Sequence, residues 1–182
     1  AFCDGKISEA EVAAMAADAY AGFGEPAIAP LVKLNDDINI LELLHGPTIA
    51  FKDYAIQFLA RAFDRALAKQ QKHAVILGAT SGDTGSAALE AFQGRDAVDV
   101  FILFPDGRVS PVQQRQMTSV IADGAFAVSV KGDFDDCQAL VKTLFNDHQF
   151  RDQVGLSAVN SINWARLMPQ IVYYLYSALA LG

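Results

Sequence analysis

The chain has 182 residues, of which 52% are apolar and 19% charged, so it can bury a sizeable core in one domain or two small ones. Its net charge of -7 argues against a nucleic-acid partner and an anionic membrane surface. No apolar run is long enough to span a bilayer, and residues 1–20 lack the pattern of a signal peptide. Two distant cysteines, Cys3 and Cys137, predict neither a zinc site nor a disulfide framework, which favours a reducing cytosol.

The first part of the chain predicts two helices separated by a strand. Ser8 and Glu11 have the spacing of a capping box, which predicts a helix over residues 8–20. A strand is predicted over 38–44. The clearest helix is predicted over 54–71, because its apolar residues recur at spacings of three and four along one face.

From residue 74 onward, predicted strands and helices alternate. The strands cover residues 74–77, 98–104, 126–130 and 156–159, and the helices cover 84–92, 111–122, 134–146 and 162–181. Pro169 is expected to kink the last helix or to delay its start. This order predicts an α/β fold in which helices flank a parallel sheet.

One lysine stands out in the stretch HGPTIAFKD, residues 45–53. Lys52 lies between Phe51 and Asp53, just before the predicted helix, whose free N–H groups Asp53 can satisfy. Such a lysine is either a solvated cation or a lysine held for covalent chemistry. The residue type alone favours the solvated cation.

A second candidate site is the stretch ILGATSGDTGSAA, residues 76–88. A buried strand leads into a glycine turn and a helix, where free N–H groups can bind an anion, with the Ser81 and Thr84 hydroxyls as extra donors. The turn matches neither a P-loop nor a dinucleotide fingerprint. The alternative is a tight turn that binds nothing. Asp83 is unusual beside an anion, and is protonated, turned away, or an acceptor for a ligand N–H or O–H.

Other candidate residues carry weaker signals. Asn160 and Asn163 are also ordinary helix-cap residues. Arg115 and Lys131 lie near the ends of the second and third βα units, where a bound phosphate is one reading and a solvated side chain is the other. The three histidines have no metal-ligand spacing, so no metal site is expected.

Three motifs together resemble one family. HGPTIAFKD resembles the lysine motif of threonine synthases, which are fold type II pyridoxal-phosphate enzymes. ATSGDTGSAA resembles the family's TSG(N/D)TG loop, and NSINWARLMPQIVYY resembles its bacterial and fungal branch. The likeness extends from Gly24 onward.

The resemblance implies a cofactor, a reaction and a set of site residues. It implies that Lys52 holds pyridoxal 5'-phosphate as a Schiff base and acts as the catalytic base in converting O-phospho-L-homoserine and water to L-threonine and phosphate. The expected substrate-binding residues are Ser81, Gly82, Asp83, Thr84, Gly85 and Arg115, and the expected cofactor contacts besides Lys52 are Asn160 and Asn163. The alternatives are another fold type II lyase or β-replacement enzyme for serine-like substrates, and a non-catalytic fragment without cofactor.

The resemblance also implies a domain organisation. Residues 1–73 correspond to part of a larger α/β domain that carries the lysine, residues 74–155 to a smaller domain, and residues 156–182 to a return helix. Family members are more than twice as long, and their glycine-rich cofactor loop is not found in this sequence. We therefore expect an amino-terminal part of a cytoplasmic enzyme, with an exposed apolar edge. The oligomeric state is left open.

Overall fold

The computed structural model of the chain describes residues 7–159 and 164–182. Its helices are α1 (Glu9–Tyr20), α2 (Lys52–Lys69), α3 (Asp83–Phe92), α4 (Pro111–Thr118), α5 (Phe134–Asn146), α6 (His148–Val154) and α7 (Trp164–Leu181). Its strands are β1 (Leu31–Lys33), β2 (Asn39–Leu41), β3 (Ala74–Ala79), β4 (Val98–Pro105), β5 (Ala125–Val130) and β6 (Leu156–Ser157). This order of elements confirms the predicted α/β fold.

The main sheet has four parallel strands in the order β5-β4-β3-β6. Strands β1 and β2 form a separate antiparallel pair. Because β3 lies inside the sheet, its carboxyl end opens between neighbouring connections. In open α/β sheets this is where ligands gather.

Two buried clusters of side chains cover the two faces of this sheet. Along β4, Val100, Ile102 and Phe104 point into a core shared with α2, α3 and α4. Phe101 and Leu103 point the other way, toward α5. Alternate residues of a strand face opposite sides of a sheet, so the nearly continuous apolar run of β4 fills both cores.

Helix α2 joins the sheet to the carboxyl-terminal helix. Its side chains pack with those of α3 in the core that contains Val100, Ile102 and Phe104. Its first turn also packs on α7, where the Tyr54 ring lies between Phe23 and Tyr173, at centroid distances of 4.9 and 5.9 Å. Side chains from 1–73 and from 74–155 pack in the same buried cluster. The division of these stretches into two domains stays a prediction.

Several element boundaries differ from the sequence prediction. Helix α2 begins at Lys52 rather than at residue 54, so the lysine belongs to its first turn. Helix α4 ends at Thr118 rather than at 122. Strand β1 and helix α6 were not predicted: β1 has three residues, and α6 is capped by Asp147, whose side chain accepts from the Phe150 amide. Pro169 lies inside α7.

Apolar side chains are exposed on helix α7 and on the β1–β2 pair, as expected from the sequence. The outward face of α7 exposes Val172, Leu175 and Leu179. The β1–β2 pair exposes Val32 and Ile40. Exposed apolar patches of this kind mark surfaces that pack against another part of a protein or against a partner.

Candidate active site

The turn that precedes Lys52 is held by the Asp53 carboxylate, whose hydrogen-bond partners differ from those expected from the sequence. Asp53 is fully buried, and its two oxygens accept from the Thr48 amide at 2.8 Å and the Thr48 hydroxyl at 2.7 Å. The Ala50 amide adds a longer bond of 3.4 Å. We expected Asp53 to satisfy the free N–H groups of the following helix. It instead ties the preceding turn to α2, because Asp53 lies inside the helix and its side chain points back.

The packing around the Asp53 carboxylate explains why residue 46 is glycine, and it raises the pKa of Asp53 itself. A Cβ atom at Gly46 would lie 2.5 Å from the Asp53 Cβ, so the turn requires glycine there. Burial raises the pKa of the Asp53 carboxyl, and the hydrogen bonds from Thr48 and Ala50 oppose that rise. The turn before Lys52 is thus fixed by a buried polar cluster.

Lys52 faces the end of β3. Its Nζ lies 3.0 Å from the Asp83 Oδ2 and 4.5 Å from the centroid of the Phe51 ring. The lysine side chain is only 17% exposed, so the ammonium sits in a partly desolvated place. This environment differs from that of a solvated surface lysine, which was the reading favoured by residue type alone.

The glycine turn after β3 is organised by Thr80. The Thr80 Oγ1 accepts from the amides of Gly82 and Gly85, both at 3.0 Å. A Cβ atom at Gly85 would overlap the Thr80 side chain and would lie 2.8 Å from the Ile102 Cγ2, so only glycine fits there. The amides of Ser81 and Thr84 have no acceptor within the described part of the chain. They are the free donors of the turn and of the α3 start.

Asp83 joins this turn to two other elements. Its Oδ2 pairs with Lys52, and its Oδ1 accepts from the Gln113 Nε2 on α4. The pKa of the Asp83 carboxyl is lowered, first by the hydrogen bond from Lys52 and further by the Lys52 charge and by Gln113, while burial opposes the change. Asp83 accepts from two side chains of the chain itself, Lys52 and Gln113, and its lowered pKa favours the ionised form over the protonated one; its role as an acceptor for a ligand stays a prediction.

A cavity of about 1030 Å³ lies between these groups. Its walls include Lys52, the 77–84 segment and Gln113, and its far side is formed by α5 and by Ala158 and Val159. The cavity is large enough for a small organic ligand. The lysine and the turn that carries the free amides therefore line the same partly open cavity.

The structure brings together only part of the predicted site. Lys52, Ser81, Gly82, Asp83 and Thr84 line the cavity, whereas Gly85 lies behind the turn. Arg115 is an exposed residue of α4 outside the cavity lining, and its contact with a substrate stays a prediction. Asn160 and Asn163 lie outside the described residues.

Two polar residues were not predicted from the sequence: Gln113, in the cavity wall, and Arg166, on α7 and outside the cavity lining. A glutamine on a short helix carries no distinctive sequence signal, although an N-cap at Ser110 places it in the first turn of α4. Arg166, in the first turn of α7, is 3% exposed. Within the described residues its Nε and Nη1 atoms have no hydrogen-bond acceptor, and burial lowers the pKa of its guanidinium.

Neither a metal site nor a membrane-spanning helix is found in the described ranges. Among residues 7–159 and 164–182 no group of three His, Cys, Asp or Glu side chains is arranged to hold a metal ion. None of the helices in these ranges combines the length and apolar character needed to cross a membrane.

Comparison with known proteins identifies close relatives. No protein-family model matches the chain. A threonine synthase of Pseudomonas aeruginosa is 51% identical over 181 residues, which cover 100% of this chain and 39% of the relative. The chain thus spans well under half the length of that relative.

Solved structures give the same result. The crystal structure of pyridoxal-phosphate-bound threonine synthase from Brucella melitensis superposes with a TM-score of 0.95 at 57% identity, over 100% of this chain and 39% of the solved one. The threonine synthase from yeast superposes with a TM-score of 0.88 at 43% identity, over 94% of this chain and 36% of the solved one.

Proposed function

Because the chain belongs to the threonine synthase family, we propose that it carries the lysine and the carboxylate-binding turn of an enzyme that converts O-phospho-L-homoserine and water to L-threonine and phosphate. The proposed cofactor is pyridoxal 5'-phosphate, and the proposed location is the cytoplasm. The observation that carries the proposal is the position of the Lys52 amine beside the turn that carries the amides of Ser81 and Thr84, which have no acceptor among the described residues.

The residues of the cavity fit such a cofactor and substrate. Lys52 is a partly desolvated amine, which suits attachment of an aldehyde. The cavity of about 1030 Å³ has room for a cofactor and an amino acid together. When bound, pyridoxal phosphate supplies an electron sink that stabilises negative charge at the substrate Cα.

The turn at the start of α3 is suited to the substrate carboxylate. The free amides of Ser81 and Thr84, with the partial positive charge of the helix start, provide fixed donors for an anion. Fixed donors need no rearrangement when the anion binds, so they hold the substrate Cα in one place. The neighbouring carboxylate of Asp83 accepts hydrogen bonds from Lys52 and Gln113, which fix its position at the turn.

Lys52 is placed to move a proton. In its neutral form, Nζ can accept the Cα proton of a substrate whose carboxylate lies at the turn. The same amine can return a proton further along the substrate as phosphate leaves. The ion pair with Asp83 holds the amine over the cavity before a ligand arrives.

The phosphate end of the substrate requires a cation, and we propose Arg166. Arg166 is buried, and its Nε and Nη1 have no acceptor within the described residues; such an arrangement is costly, which suggests that a ligand supplies the anion. Arg166 and Tyr173 are seven residues apart, so they lie on the same face of α7. Tyr173 packs against Tyr54 of α2. Arg166 therefore lies roughly 10 Å along α7 from the contact with the first turn of α2.

Turnover by the full-length protein tests the proposal. Incubation with pyridoxal phosphate and O-phospho-L-homoserine is expected to release threonine and phosphate in equal amounts. Lys52→Ala should abolish both the near-visible absorbance of the bound cofactor and the reaction, because it removes the attaching amine. Lys69→Ala is the matched control, since Lys69 lies on the same helix as Lys52 but pairs with Glu11 and does not line the cavity.

Two outcomes would redirect the assignment. Release of phosphate without threonine, or turnover of O-acetylserine in preference to O-phospho-L-homoserine, would favour another lyase or β-replacement enzyme of the same cofactor class. Equal absorbance spectra of the wild type and Lys52→Ala would show that Lys52 does not anchor the cofactor, as expected for a non-catalytic fragment.

A further inference from the structure

The side chain of Gln113 has a determined orientation. Its Oε1 lies 2.9 Å from the Ser110 Oγ, and that hydroxyl can donate to it. Its Nε2 lies against the Asp83 Oδ1. An ionised carboxylate can only accept, so the amide must present its N–H group to Asp83 and its oxygen to Ser110.

Gln113 also packs against the backbone of the carboxylate-binding turn. A Cβ atom at Gly82 would lie 2.5 Å from the Gln113 Oε1, so the side chain fills the space beside this glycine. The amide group thus contacts two consecutive residues of the turn, Gly82 and Asp83. A side chain exposed on the surface of α4 would not contact the turn in this way.

Asp83 is held by side chains of two other elements. Lys52 of α2 pairs with its Oδ2, and Gln113 of α4 is an uncharged donor to its Oδ1. Asp53, next to Lys52 on α2, is a second carboxylate, whose pKa is raised first by burial and also by the Asp83 charge. Without Gln113, Lys52 would be the one side-chain donor among the described residues to a carboxylate that is 44% exposed.

We propose that Gln113 is a positioning residue of the candidate active site, whose side-chain amide fixes the Asp83 carboxylate opposite Lys52. The chain Ser110, Gln113, Asp83, Lys52 links the N-cap of α4 to the start of α3 and the first turn of α2. It sets the direction in which the lysine points before any ligand binds. The link to turnover rests on the proposed function, but the contact with Asp83 does not.

Titration of Asp83 tests the positioning role directly. The full-length protein labelled with ¹³C at aspartate carboxyls would be titrated by NMR, with Asp83→Asn identifying the resonance. Gln113→Leu should move the titration midpoint of Asp83 upward, because a donor to the charged form is lost. Gln113→Glu, which keeps the size and helix propensity, should move it further upward, because it places a second carboxylate beside the first.

Matched variants and kinetics complete the test. Gln114→Leu, one position along α4 and without a contact to Asp83, should leave the midpoint unchanged. With O-phospho-L-homoserine, Gln113→Leu should lower kcat/KM by about tenfold to a hundredfold, as expected for a lost hydrogen bond to a charged group. The acid limb of its pH profile should move in the same direction as the titration midpoint.

The outcomes separate the two proposals. An unchanged Asp83 midpoint in both Gln113→Leu and Gln113→Glu overturns the positioning role, whatever the activity. A shifted midpoint in a protein that makes no threonine supports the positioning role and rejects the proposed function. Equal kcat/KM values for Gln113→Leu and Gln114→Leu in an active enzyme also overturn the role in turnover.

Discussion

The Lys52 ammonium lies 3.0 Å from the Asp83 carboxylate, which joins the first turn of α2 to the first residue of α3. The two residues are 31 positions apart in the chain. Their contact places an amine suited to covalent chemistry beside a turn with free amide donors. The pair therefore defines the candidate active site more closely than either motif does alone.

The Lys52–Asp83 pair predicts a particular pH dependence of stability. The pKa of Asp83 is lowered chiefly by its hydrogen bond from Lys52. A carboxyl with a lowered pKa contributes stability above its unfolded pKa, roughly 3.9, and loses it as the pH falls through the folded value. The Tm of the wild type should exceed that of Asp83→Asn by a few degrees at about pH 7, and the difference should shrink as the pH falls below roughly 3.9 toward the lowered pKa of folded Asp83.

Calorimetry across a pH series would measure that difference. It should remain small because the Asp83 side chain is 44% exposed and solvent screens the pair. A difference that grew as the solution became more acidic would contradict the ion pair.

The buried Asp53 carboxylate predicts a larger loss of stability. Asp53→Ala would leave the Thr48 amide and hydroxyl and the Ala50 amide without their acceptor. We expect a decrease of about 2–4 kcal/mol in the free energy of unfolding, measured by urea denaturation. Thr48→Val, which removes only the hydroxyl donor, should cost about 1 kcal/mol. Equal losses for the two variants would show that the amide bonds to Asp53 contribute little.

The glycine turn predicts a packing defect at Gly85. Gly85→Ala places a methyl group against the Thr80 side chain and the Ile102 Cγ2, so the turn must shift. The cost should be about 1–3 kcal/mol, visible as a lower Tm, together with weaker substrate binding. Gly22→Ala is the control, because nothing lies within 4 Å of a Cβ there and its stability should change little.

Arg166 predicts a trade-off between stability and function. Arg166→Met replaces a buried cation, whose Nε and Nη1 have no acceptor in the described ranges, with an apolar side chain of similar length, so the Tm should stay the same or rise. Its kcat/KM for O-phospho-L-homoserine should fall by about a hundredfold or more, because a charged contact with the phosphate is lost.

Added inorganic phosphate offers a second measurement of this trade-off. It should raise the Tm of the wild type and leave that of Arg166→Met unchanged. A large fall in Tm for Arg166→Met without added ligand would instead indicate that Arg166 has a structural partner.

The architecture was largely predictable from local patterns. Apolar runs such as residues 98–104, separated by amphipathic segments, indicated a parallel α/β sheet, and α5 was predicted with its observed limits. Short elements were not predictable in the same way. Strand β1 has three residues, and α6 depends on a cap at Asp147 that also ends α5. Neither leaves a periodic pattern long enough to detect.

By itself, the sequence determined the order of the longer strands and helices and the two polar stretches around Lys52 and Ser81, because hydrophobic periodicity and glycine turns are local properties. Only the tertiary structure decided that Asp83 is an acceptor for Lys52, that Gln113 holds its other oxygen, and that Asp53 faces the preceding turn. These contacts depend on the register of β3 against its neighbours and on the packing of α2 and α4, which bring together residues far apart in the chain.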